Sequence, residues 1–116
     1  MGDLSAHFSK GEFRDHRTGQ LVGPDRRLVE VLERIRGLTG RPLRVVSGYR
    51  SRSTNDAVGG ARRSQHLYGR AADIPGGTCT VDQAIAAGAR GIGHRRGDVL
   101  HVDVRRTLRP VIWEYH

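Results

Sequence analysis

The chain has a single cysteine, Cys79, so no disulfide can close within it. It has no apolar stretch of the length a membrane-spanning helix needs. Aromatic residues make up only 5% of the sequence, which is poor material for the stacking platforms that hold single-stranded nucleic acid. Lysine occurs once, at Lys10, and no basic arm, repeat or low-complexity linker is present. The opening "MGDLSAHFSKGEF" lacks the apolar run of a secretory signal.

What remains is glycine, arginine and aliphatic side chains. The 116 residues suit one compact domain, residues 1–116, with a core of Leu, Val, Ile and Ala. The 16 glycines point to many turns and short elements. The formal net charge is +8, nearly all of it from arginine. Such a surface favours polyanions, including acidic wall polymers, but the arginines are dispersed and read equally well as a solvated surface.

The clearest helix is "PDRRLVEVLERIR", 24–36, where Leu28, Val31, Leu32 and Ile35 form one apolar stripe. Pro24 and Asp25 suit its start and Gly37 its end. Ser9 with Glu12, and Thr80 with Gln83, have the spacing of capping boxes. "LRVVS", 43–47, reads as a strand, as do Ala71 to Ile74, the alternating "VLHVDVR" at 99–105 and "VIWEY" near the C-terminus. Helices followed by short strands predict an α+β domain with a small, mainly antiparallel sheet.

The chemistry concentrates in "SQHLYGRAADI", 64–74. His66 and Asp73 are either polar turn residues at a strand end or two ligands of one metal. The second reading requires a chain reversal between them, since seven residues of straight helix rise about 10 Å whereas zinc–ligand bonds are about 2 Å. Gly69 stands where that reversal is needed. Alternation on the late strand puts His101, Asp103 and Arg105 on one face and Val102 and Val104 on the other. His101 is therefore the candidate third ligand. Two imidazoles and a carboxylate satisfy Zn2+ and leave a position for water. Asp98, three residues before His101, is the candidate general base, and Arg50 in "SGYRS" the candidate cation for a developing oxyanion. Asp103 reads either as a carboxylate orienting a histidine or as a surface partner of Arg105.

"SQHLYGRAAD" fits S-x-H-x-x-G-x-A-x-D through Ser64, His66, Gly69, Ala71 and Asp73. It resembles the signature of the zinc D-Ala-D-Ala carboxypeptidases and L-alanyl-D-glutamate endopeptidases, peptidoglycan metallopeptidases that share a fold with the Hedgehog signalling domain. "SGYRS", "GIG" and "HVDVR" resemble the family's other blocks in the same order, and "LSAHFSKGEF" is similar to its usual opening. The resemblance implies zinc ligands at His66, Asp73 and His101, an acidic base at Asp98, a substrate- or oxyanion-binding arginine at Arg50, and Ser64 beside the substrate. It implies a Hedgehog/DD-peptidase-like α+β fold with helices packed on one side of the sheet. His94 follows "GIG" where relatives often carry tyrosine, and the segment Arg14 to His16 lacks the cysteines many of them have.

These readings combine into an expectation: a zinc metallopeptidase hydrolysing stem or cross-link peptides of peptidoglycan. The alternative is a non-catalytic, metal-stabilised module that binds the cell wall. Nucleic acid and membrane insertion are not expected, and a monomer is. Without a leader, the chain is expected to be made in the cytoplasm and to act at the wall, as a phage endolysin or prophage lysis protein does.

Overall fold

A computed structural model describes residues 2–116. Its elements are α1 (Arg26–Thr39), α2 (Arg52–Ala57), α3 (Val81–Ala86), β1 (Ala71–Asp73), β2 (Gly91–Arg95), β3 (Asp98–Asp103) and β4 (Val111–Glu114), with 3-10 turns at Lys10–Phe13 and Gln65–Tyr68. The fold is α+β, as expected. No helix among the described residues is long and apolar enough to cross a membrane.

The predicted stripe on α1 forms the centre of the core. Leu28, Val31, Leu32 and Ile35 are buried with Val29, against Phe8, Phe13, Ala84, Ile92, Val99 and Val102. Truncating one such residue, Leu32→Ala for instance, costs about 2–5 kcal/mol because the cavity only partly collapses. Asp25 caps the helix by accepting from the Arg27 backbone N–H. The helix runs three residues past the predicted end. Gly37 is tolerated inside it, and the stop is Gly40, whose φ of 68° gives the left-handed C-terminal turn. Both predicted capping boxes form, before the Lys10–Phe13 turn and before α3.

The sheet order is β1-β3-β2-β4. β1 and β2 both pair antiparallel with β3, but β4 pairs parallel with β2. The sheet is therefore mixed and not mainly antiparallel. The reason is topological. After β3 the chain reverses, but β2 already occupies that flank of β3. The returning strand lands one place further out, beside a strand that runs its own way. The predicted strand at 43–47 is also absent. Only Ser47 bridges to Asp73, because a three-residue β1 offers too short a ladder to extend.

Alternation separates the two faces of the sheet. Ala72, Ile92, Val99 and Val102 lie in the core, against α1 and α3. Ala71, Asp73, His101 and Asp103 face the other way, where the 3-10 turn Gln65–Tyr68 stands with α2 beside it. One irregularity breaks the pattern. Gly93 pairs with His101 but His94 pairs with Val99, so Leu100 has no partner on β2. This β-bulge turns both Leu100 and His101 away from the core while Val99 and Val102 stay in it.

Candidate metal centre

The reversal expected at Gly69 is present. Gly69 ends the 3-10 turn with φ 67°, and its carbonyl accepts from the Asp25 backbone N–H at 2.8 Å, tying the reversal to the start of α1. His66 is thereby swung back over β1. His66, Asp73 and His101 each present one ligand atom, all within 4.8 Å of one another. His66 Nε2 and His101 Nδ1 both lie 3.1 Å from the same oxygen, Asp73 Oδ1.

The outer nitrogens of both rings are already occupied. His66 Nδ1 lies 2.7 Å from the Gly48 carbonyl, and His101 Nε2 lies 2.8 Å from Asp103 Oδ2. A carbonyl only accepts, so Nδ1 of His66 carries the proton there and Nε2 turns toward Asp73. The Asp103 carboxylate fixes His101 in the same way. Both free nitrogens then converge on one carboxylate oxygen. This is the donor set and orienting partnership that zinc sites use, so the residues present fit the ion.

Asp103 orients His101 and also pairs with Arg105, but the pair is not at the surface. Its carboxylate is fully buried. It accepts from His101 and, through both oxygens, from the Arg105 side chain at 2.9 and 2.7 Å. Burial pushes its pKa up, but Arg105 and His101 outweigh that and hold it well below the usual carboxylate range. For His101, burial favours the neutral ring, but Asp103 and Asp73 outweigh it and raise its pKa above the ordinary histidine value. Asp73 is lowered strongly: burial raises it, and the two histidines more than offset that.

Glycine at two β2 positions makes room for this. A β-carbon on Gly91 would collide with the Asp103 carboxylate, and one on Gly93 would come within 2.7–2.8 Å of Tyr115 and Trp113. "GIG" thus buries only Ile92 in the core and leaves the other face bare. Trp113 occupies the space beside His101, with ring centroids 5.2 Å apart, and carries the Arg105 guanidinium over its ring at 5.0 Å.

Above the cluster is a cleft of about 470 Å³ lined by Arg50, Arg63, Ser64, Gln65, Trp113 and Tyr115 among others. Arg50 lies at its edge, its Nη2 donating to Asp73 Oδ2 at 2.7 Å and its Nε to Ser47 Oγ at 3.3 Å. Ser64 lines the cleft and its Oγ accepts from the His66 backbone N–H. Asp98 is elsewhere. It is exposed at the start of β3 and faces a separate depression walled by Thr80, Asp82 and Arg96. It is not among the residues that line the cleft. His94 serves the tight turn at Arg96–Gly97, its Nδ1 accepting from the Gly97 N–H; it is not part of the cleft lining.

The family profile described as Peptidase M15 matches residues 6–103. The chain belongs to the M15 peptidase family. It is 32% identical over 103 residues to the peptidoglycan L,D-endopeptidase MepK of Escherichia coli strain K12, covering 78% of this chain and 57% of that protein. It is 45% identical over 47 residues to the zinc D-Ala-D-Ala carboxypeptidase of Streptomyces albus G, covering 38% of this chain and 18% of that protein. The chain thus spans a little over half the length of the first of these relatives and a much smaller part of the second.

Sequence reasoning missed the cleft-lining Arg63 and Tyr115, and it missed Asp15. The first two have no spacing signal, because the topology alone brings them to the site. Asp15 sits in "RDHRTG", where no spacing or motif points to a distant partner.

Proposed function

We propose that this M15 chain is a zinc-dependent peptidase that hydrolyses peptide bonds in the stem or cross-link peptides of peptidoglycan. The observation that carries it is the convergence of His66 Nε2 and His101 Nδ1 on Asp73 Oδ1, with both outer nitrogens tied off. In this reading His66, Asp73 and His101 would hold the ion, which would supply Lewis acidity toward a carbonyl oxygen and a lowered pKa for water. Arg50 places a guanidinium where an oxyanion or substrate carboxylate needs one. Ser64 lends a hydroxyl to the cleft wall. Asp103 holds the His101 tautomer. Among the described residues that line the cleft, Asp73 is the one carboxylate, so this reading gives Asp98 no proton to move.

The relatives' names support the substrate class, one being an L,D-endopeptidase and the other a D-Ala-D-Ala carboxypeptidase. The net charge of +8 would assist docking on an anionic wall, an attraction that salt weakens. The test is digestion of purified peptidoglycan by zinc-loaded protein, with mass spectrometry of the released muropeptides. New peptide termini that vanish in His66→Ala are expected. Stoichiometric zinc with no cleavage across wall preparations would instead favour the non-catalytic wall-binding module.

A further inference from the structure

Asp15 is fully buried and outside the cleft. Burial alone would push its carboxyl up, but hydrogen bonds from Ser51, Thr18, Arg17 and Thr54 overcome this and hold it well below the usual range. Asp15 Oδ1 accepts from the Arg17 and Thr18 backbone N–H groups, each at 2.9 Å, and from the Thr54 hydroxyl at 2.9 Å. Asp15 Oδ2 accepts from the Ser51 backbone N–H at 2.7 Å. Ser51 follows Arg50 directly.

The backbone around Arg50 is held at three successive residues. Tyr49 N–H donates to the Phe13 carbonyl at 2.9 Å, Arg50 N–H to the His66 carbonyl at 3.1 Å, and Ser51 N–H to Asp15. The Asp15 bond is the shortest of the three and the only one made to a charge, which makes it the stronger kind. The same carboxylate steadies α2 from below. Ser51 Oγ caps that helix by accepting from Thr54 N–H and donates to Thr54 Oγ1, which in turn donates to Asp15. One buried charge therefore fixes both the peptide after Arg50 and the helix that follows.

We propose that Asp15 is a positioning residue for Arg50: it fixes the 49–51 backbone so that the guanidinium meets Asp73 at the cleft edge. The inference rests on the role given to Arg50 in the proposed function. A carboxylate that only stabilised the fold would act on activity independently of Arg50. One that acts through Arg50 cannot, and a double-mutant cycle separates the two.

The experiment compares Asp15→Asn in the parent and in Arg50→Lys, which keeps the charge, using zinc-loaded protein and a soluble muropeptide. Asp15→Asn is expected to lower kcat about 10- to 100-fold in the parent, the scale of a misplacement near 1 Å. In Arg50→Lys the same change is expected to cost less than about twofold. The metal-free protein supplies an independent readout: the Arg50 Nε–H resonance should shift in Asp15→Asn while those of Arg41 and Arg90 do not. Thr54→Val, which removes one of the four bonds, provides a milder variant should Asp15→Asn not fold, with a loss of about 3- to 10-fold and the same dependence on Arg50. Equal losses in both backgrounds, or full activity in the parent with an unmoved Arg50 resonance, would overturn the positioning role. Full activity of Arg50→Ala would instead remove the premise about Arg50, whatever Asp15 does.

Discussion

The two ends of β3 carry aspartates five residues apart, and almost nothing else about them is alike. Asp103 is sealed under the cleft, with Arg105 and His101 donating to both its oxygens. Asp98 is exposed beside a two-residue turn. Both stand close to the same histidine in sequence, and from spacing alone Asp98 looks the better placed to take a proton. The packing reverses that ranking. A carboxylate acquires a role when its surroundings hold it, and only one end of the strand is held.

The contrast can be broken at its centre by His101→Ala. It should lose metal and cut turnover more than about 1,000-fold, read by metal analysis and muropeptide release. Asp103→Asn keeps the shape but removes the charge that orients His101. Zinc affinity should fall about 10- to 100-fold, measured by competition with a chelating dye. Gly91→Ala attacks the same carboxylate from the facing strand and should lower thermal stability by about 1–3 kcal/mol, read from denaturant midpoints.

Acidity probes the held end in two directions. Asp103 and Asp15 have folded values below the unfolded value near ~3.9. Their contribution to stability is complete above that pH and is lost as pH falls toward the lowered folded values. His101 is raised, so in the metal-free protein its contribution is complete below about 6.5 and is lost as pH rises through the folded value. Zinc would have to displace that proton, so its affinity should climb with pH and level off once the raised folded value is passed, which titrations at several pH values will show. The smallest effect belongs to the loose end. Asp98→Asn should keep its metal and turn over within about twofold of the parent. A loss of more than tenfold would bring Asp98 back to the reaction.

Much of this was legible beforehand because it is local. The α1 stripe, the two capping boxes and the reversal at Gly69 each follow from periodicity or from one residue's backbone preference, while the grouping of His66, Asp73 and His101, left open by spacing, is implied by the family resemblance. What escaped is what depends on a partner. The bulge at Leu100 leaves the composition of 99–105 unchanged and is visible only against the register of β2. The parallel pairing of β4 depends on which flank of β3 was already taken. "LRVVS" has strand composition but meets only a three-residue β1. Asp15 has no partner in view until Ser51 and Thr54 are brought to it from 36 and 39 positions away.

Asp73 divides its two oxygens, one facing both histidines and the other gripped by Arg50. That division makes the carboxylate a thermodynamic link. An anion that draws the guanidinium away alters how much charge Asp73 can offer toward the histidines. Linkage then requires the metal, in turn, to alter the affinity for that anion by the same factor. Occupancy of the cleft and retention of an ion would then be coupled through one side chain.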